Sequence, residues 1–529
     1  MQGPSTLAAR TVGEWTVTTD RAYANPFLDV SVDAICTAPS GAEFRAPLFY
    51  DGACAWRFRL APREEGRWHL RTVAAPEDPE LVDEAEIVVT PGEGQGRLRA
   101  TPGEGWGFTY DSGEPVFLLG DTTYNLFGMA HCGGDVAGFL ARRAEQGFNL
   151  LRVRVPVSPF HPPRGYSDWQ TRRTWPWGGS EQAPQFDRFD LDYFHTVDAV
   201  VQEAERLGMG LEMIMEGWGF EFPFSRRDRF VPEWEDLWMR YLIARYDAYN
   251  SVYFWTLMNE YEFYPDGDWR YNRVADLWAM RRARWVKALA PHGHIVSVHN
   301  GPRMPRFAER FAQDPGAVDA IMFQDWGSRD EEWGWLADGI ETTIAAALGD
   351  WWGSAVFAEW GYERNPEFDL KMPSHLHCDV EHTRRGAWRG AFRGLGIIHG
   401  FENSWGPWMV LDRDQPGLEH LLHVRRFFTE VLPFAALRPA EGLATGSRER
   451  GCQPLALASE DGRQVAVYLP VGGEATIDPS LPLAEYRGEW YDPVAGTLQP
   501  AAAEGSTFRA PERVTNGHPQ DWVLVLRAD

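Results

Sequence analysis

Between residues 115 and 434 the chain alternates short apolar runs with longer helix-like stretches. The runs are Val116–Leu119, Asn149–Val155, Met209–Met215, Val252–Met258, His294–Val298, Ala320–Phe323, Ala355–Ala358 and Gly396–His399. Segments such as Phe194–Leu207, Glu233–Tyr249 and Val274–Leu289 lie between them. A strand that is apolar along its whole length is buried on both faces, which is the situation of a parallel sheet covered by helices. Eight such units in about 320 residues fit a (β/α)8 TIM barrel and make the chain α/β. A doubly wound open sheet is the competing arrangement, but no glycine-rich phosphate loop follows the first run.

The flanks read differently. Residues 12–95 show short strands at Glu14–Thr18, Phe27–Ile35, Ala55–Leu60, Gly66–Thr72 and Ala85–Val89, with period-2 alternation such as Trp56-Arg57-Phe58-Arg59-Leu60. They predict a small N-terminal β-sandwich, followed by a Gly- and Pro-rich linker over 90–105. Strand patterning returns at Val465–Leu469, Glu489–Tyr491, Thr507–Arg509 and Trp522–Leu526, with turn signals at Asp492-Pro493 and Ala495-Gly496. The expected organisation is a sandwich over 1–100, a catalytic barrel over 101–434 and a C-terminal β-sandwich domain over 435–529.

Composition narrows the function. A net charge of −25, from 51 basic and 76 acidic side chains, argues against nucleic acid or an anionic membrane as partner, since either needs a basic patch. The 25 Trp point beyond core packing to a cleft whose flat rings stack on sugars. The five cysteines are scattered and form no C-x-x-C, so neither a disulfide framework nor a zinc ribbon is indicated. Residues 1–20 lack a signal-peptide pattern, which predicts a cytoplasmic protein. A homo-oligomer is compatible with the sequence and is not specified by it.

Barrel active sites lie at the C-terminal ends of the strands. The residues there are Asp121, Arg152 and Arg154, Glu216, Asn259-Glu260, His299-Asn300, Gln324-Asp325-Trp326, Glu359-Trp360 and Glu402-Asn403-Ser404-Trp405. Together they describe one polar pocket edged with Trp. Glu260 ends the fourth run and Glu359 the seventh, on strands that face each other across a barrel. Glycosidic cleavage needs such a pair: a carboxylic acid protonates the leaving oxygen while a carboxylate attacks the anomeric carbon. A neighbouring ionised nucleophile and apolar surroundings keep the acid protonated.

Asn259-Glu260 after strand four and Glu359 after strand seven resemble the signature of glycoside hydrolase clan A. The resemblance implies that Glu260 is the acid/base, that Asn259 bonds the sugar 2-hydroxyl and that Glu359 is the nucleophile. Phe117-Leu118-Leu119-Gly120-Asp121-Thr122 is similar to the opening of the apiosidase-like barrels. Asn25-Pro26-Phe27, Phe49-Tyr50-Asp51-Gly52 and Gly66-Arg67-Trp68 look like the β-sandwich fused to such barrels, and Trp490-Tyr491-Asp492-Pro493 like their collagen-binding-like C-terminal domain. One position departs: the resemblance implies an aspartate as acid/base, where this chain has Glu260. The resemblance also implies that Asp121 bonds a non-reducing-end hydroxyl; as a bare Asp it serves equally as an N-cap.

Arg152 or Arg154 orients Glu359 by a charge-assisted bond; two residues apart, they share a face, so depth in the barrel decides between them. His299, Gln324, Trp326, Trp360 and Trp405 are candidate substrate contacts in the pocket wall. No metal and no cofactor is expected: His375-Leu376-His377-Cys378…His382 and His292-Gly293-His294 lack acidic partners at other strand ends.

The expectation is a retaining, exo-acting glycosidase for small oligosaccharides or glycosides, furanosides included. Long loops, Ser158 to Asp187 and Gly217 to Glu233, close its cleft into a pocket. A non-catalytic carbohydrate-binding protein is one alternative. An inverting or metal-assisted hydrolase, with Glu216 or Asp325 as base, is another. Carboxyl separations of about 5–5.5 Å go with retention and about 6.5–9.5 Å with inversion.

Overall fold

The computed structural model describes residues 1–103, 106–157, 174–265, 267, 270–301, 306–325, 339–363, 377–400, 411, 414–446 and 452–528. Trp326, Trp405 and His375 lie outside the described residues. Eight parallel strands close into a barrel in chain order. They are β1 (Leu119–Thr122), β2 (Leu150–Arg154), β3 (Gly210–Trp218), β4 (Val252–Asn259), β5 (Ile295–His299), β6 (Ala320–Gln324), β7 (Ser354–Glu359) and β8 (Gly396–His399). β8 pairs with both β7 and β1, so the barrel has no open edge.

Alternation along each strand divides the core in two. Leu150, Phe254, Ile295, Met322, Val356 and Ile398 fill the inside of the barrel. Leu151, Trp255, Val296, Phe323, Phe357 and Ile397 face the helices outside. A hairpin of Leu98–Ala100 and Phe108–Tyr110 closes the base, adding Leu98 and Phe108 to the interior cluster. This explains why the first apolar run starts before its strand: Val116 donates its backbone N–H to the Phe108 carbonyl at the base, and the barrel ladder begins only at Leu119. Above the apolar layer sits a polar one, in which Thr256 Oγ1 lies 2.9 Å from Glu212 Oε1 and 2.7 Å from Ser297 Oγ.

The outer helices begin and end where local chemistry dictates. Asp135 and Asp190 accept from Gly138 N–H and Tyr193 N–H, capping Val136–Gln146 and Leu191–Leu207. Both helices stop at a left-handed glycine, Gly147 and Gly208.

The N-terminal part is a five-stranded and a three-stranded sheet around Trp15, Val32, Phe58, Trp68, Leu70 and Ile87. The expected strand Phe27–Ile35 forms only from Ser31 onward. Asn25 accepts the Phe27 N–H with its side-chain oxygen and donates to Asp187, so the chain turns there and pins the sandwich to the barrel. Strand Glu43–Pro47 was not expected. The sandwich is also clamped by ions: Asp198, on a barrel helix, accepts from Arg59 of the sandwich and from Arg245, all three buried. The C-terminal part stacks a six-stranded on a four-stranded sheet around Val467, Trp490, Phe508, Trp522 and Leu524. Asp521 ties it to the barrel through Arg384.

Candidate active site

β4 and β7 deliver the two carboxyl groups. The chain leaves β4 through Glu260 in the left-handed region, at φ 52° and ψ 53°. Such a conformation costs a residue with a Cβ about 1–3 kcal/mol and persists only where neighbours hold it. The following turn supplies them: Tyr261 Oη donates to Asp276 at 2.9 Å, and Glu262 accepts from Arg310 and from Gly301 N–H, each at 2.8 Å.

The two carboxyls meet opposite surroundings. Glu359 Oε1 accepts from Arg152 and from Tyr124 Oη, the latter at 2.6 Å, and His299 Nε2 lies 4.0 Å away. Glu260 Oε1 accepts from a neutral amide, Gln324 Nε2, at 2.7 Å, and from no other group among the described residues. Burial and then the charge of Glu359 push the Glu260 carboxyl up to about 8, against the opposing pull of Gln324 and Arg152. One group is thus poised to hold a proton at neutral pH while its neighbour is matched to a buried cation.

Depth in the barrel separates the two arginines. Arg152 reaches Glu359, the amide oxygen of Asn259, and Glu212 one layer below at 3.5 Å. Arg154, one level higher, pairs with Glu221 and lies 4.7 Å from the Trp218 ring. Because a guanidinium only donates, Arg152 fixes the orientation of the Asn259 amide and leaves its Nδ2 as a buried donor. Both ring nitrogens of His299 and Gln324 Oε1 are likewise buried, with no hydrogen-bond partner among the described residues. Burial, with Arg152 nearby, lowers His299 well below the usual histidine range, so its ring is neutral.

Two expected contacts lie elsewhere. On β1, Gly120 faces the interior and Asp121 faces out, where it accepts from Arg143 at 2.7 Å and pairs with His399 at 3.0 Å. Asp121 therefore braces the barrel wall against the helix Val136–Gln146. Trp360 follows an inward Glu359 and points outward by the alternation of the strand. It packs on Phe357 and donates to the Thr383 carbonyl at 3.2 Å. The alternative bases have partners of their own. Glu216 bonds Arg227 at 2.6 Å in a cluster with Glu235, and Asp325 accepts from Thr343 at 3.0 Å. His292 and His294 both bond Asp247, and His382 bonds the Trp360 carbonyl.

Sequence reasoning missed Tyr124 and Glu212. Tyr124 lies two residues beyond β1, past the strand-end position that was read. Glu212 lies inside β3, where an isolated acidic residue in an apolar run was the available signal.

The profile of the apiosidase-like catalytic domain matches residues 104–421. A domain of unknown function matches residues 11–75, and a candidate collagen-binding domain of a collagenase matches 439–527. A candidate glycoside hydrolase from Bacteroides vulgatus ATCC 8482 has a similar structure, with a TM-score of 0.73 at 18% identity over 99% of this chain and 100% of its own. A glycoside hydrolase family 5 protein from the same organism gives 0.61 at 17% identity, over 82% and 94%. At such identities the likeness speaks for the fold. No curated protein matches the chain. The family match spans more than half of the chain, which therefore belongs to the apiosidase-like family and is a glycoside hydrolase acting on carbohydrate.

Proposed function

We propose that the chain is a retaining, exo-acting glycosidase with Glu260 as acid/base and Glu359 as nucleophile. The observation that carries this reading is the asymmetry of the pair: Glu359 is held by Arg152 and Tyr124, whereas the Glu260 carboxyl is pushed up to about 8. In the first step a Glu359 oxygen bonds the anomeric carbon. The bond to the leaving oxygen breaks as that oxygen takes the Glu260 proton. In the second step Glu260 takes a proton from water, the water oxygen attacks the same carbon, and Glu359 departs as carboxylate. The free Asn259 Nδ2 is the donor for the hydroxyl beside the reacting carbon. The loops after β2 and β3 pack on each other, with Trp175 stacked on Phe222 at 5.9 Å, and long packed loops at this end of the barrel favour a pocket and hence attack at a chain end. Membership of an apiosidase-like family favours a furanoside, apiose among them.

The test is hydrolysis of a panel of aryl apiofuranosides, arabinofuranosides and pyranosides, with the first-formed anomer read by NMR. Retention is expected, and inversion would overturn the double displacement. The pH dependence follows from Glu260. Its acid form is present below its raised value and is lost as pH rises through it. The alkaline limb of kcat/KM is therefore expected near pH 8, and it should vanish in Glu260→Gln together with most of the activity.

A further inference from the structure

The side chain of Gln324, at the end of β6, touches both the acid/base and the backbone of the neighbouring strand end. Its Nε2 lies 2.7 Å from Glu260 Oε1 and 2.6 Å from the Asn300 carbonyl. Both partners accept, so the amide has only one workable orientation. A flip would set Oε1 against a carbonyl and a carboxyl oxygen at once. The Asn300 carbonyl is itself held in place. Asn300 N–H donates to Met322 O at 3.1 Å, and the next residue, Gly301, donates to Glu262, which Arg310 anchors. A closed circuit thus runs from Glu260 through Gln324, Asn300, Gly301 and Glu262 back to the turn that carries Glu260.

Within this circuit Glu260 Oε1 always faces an N–H. A proton placed on Oε1 would meet that N–H head on, donor against donor. Oε2 makes no hydrogen bond among the described residues. We propose that Gln324 is a positioning residue that keeps the catalytic proton on Glu260 Oε2, so that one oxygen both gives the proton to the leaving group and takes it back from water. This rests on Glu260 being the acid/base. Once the proton has gone, the same N–H stabilises the carboxylate, in the same sense as Arg152 and against Glu359 and Glu262, whose charges favour the neutral form. Gln324 thereby sets the direction of proton delivery and limits how tightly the proton is held.

The proposal is tested on the full chain by pH-difference infrared spectroscopy. Wild type is expected to show a carboxylic C=O band that titrates in the region of pH 8 and is missing from Glu260→Gln. In Gln324→Met, which has similar length and no donor, that band moves to higher wavenumber, because its carbonyl oxygen Oε1 has lost its hydrogen bond, and it titrates at higher pH. Gln324→Leu, which also lacks a donor, gives the same direction of shift and stands in if the Met variant does not fold. On aryl glycosides the Met variant loses on the order of tenfold in kcat/KM with poor leaving groups, part of what a general acid supplies, and little with dinitrophenyl leaving groups, which need no proton. A band that Gln324→Met leaves in place, or equal losses on both kinds of leaving group, overturns the role of Gln324. Absence of a titrating band that Glu260→Gln removes overturns the acid/base reading itself.

Discussion

Glu359→Gly is expected to lower kcat by about 10⁵-fold, as loss of a nucleophile does in enzymes whose residues act as a unit, and azide is expected to restore part of that turnover. The substitution removes the carboxylate that bonds the anomeric carbon and leaves a cavity beside Arg152 and Tyr124, both donors suited to an anion. Azide seated there attacks from the face that Glu359 used. Its product is a glycosyl azide of configuration opposite to the substrate, formed once, because no second displacement follows. Glu260→Gly responds differently. Azide then replaces the water of the second step, attacks the glycosyl-enzyme from the leaving-group side and yields an azide of retained configuration. Two variants and one added anion thus distinguish the two carboxylates. Swapped configurations would exchange the assigned roles, and products of the same configuration from both variants would abolish them. Near-normal turnover of Glu359→Gly without azide would remove Glu359 from the chemistry.

The pair was legible in the sequence because a barrel converts position along the chain into position in space. An apolar run ending in Asn259-Glu260 and another ending in Glu359 need only be strands four and seven of a ring to converge. Direction was less legible. Asp121 and Trp360 both stand at strand ends, and the period of two decides which way they face. With Leu119 among the outward residues, Asp121 shares its side; in β7 the register slips by one residue between Phe357 and Glu359, which turns Glu359 inward and Trp360 outward. Reading strand ends without tracking that alternation placed both in the pocket. Tyr124 was hidden for another reason: it reaches Glu359 from a segment whose path after β1 is set by packing, with no local sequence signal. The Phe27 segment shows a local preference that prevails over strand propensity, because Asn25 satisfies a backbone donor and Pro26 removes one.

Arg152 carries the second large effect, on stability and activity together. Its side chain is fully buried, donates to Glu359 and Asn259, lies 3.5 Å from Glu212 and sits 5.0 Å from the Tyr124 ring. A buried guanidinium in this position is the counter-charge for two carboxyls that water does not reach. Burial already pushes the Glu212 carboxyl up to about 7 with Arg152 pulling the other way. Arg152→Met removes that pull, so Glu212 holds its proton to higher pH, and Glu359 loses its buried cationic partner. Breaking a buried pair from one side costs about 3–5 kcal/mol. Equilibrium urea unfolding should show the loss, and it should deepen as pH rises past about 7, where Glu212 gives up its proton in the wild type but keeps it in the variant. Carboxyls raised in the folded state bind their protons more tightly than in the unfolded chain, so the stability they contribute falls as pH rises. The kcat of Arg152→Met should fall as well, because Glu359 and Asn259 lose the guanidinium that orients them. Arg152→Lys should recover part of the stability and less of the activity, because a single ammonium replaces the charge without the fork that holds Glu359 and Asn259 at once. If Arg152→Met unfolds at the wild-type urea concentration and keeps the wild-type kcat, the pairing has no energetic weight.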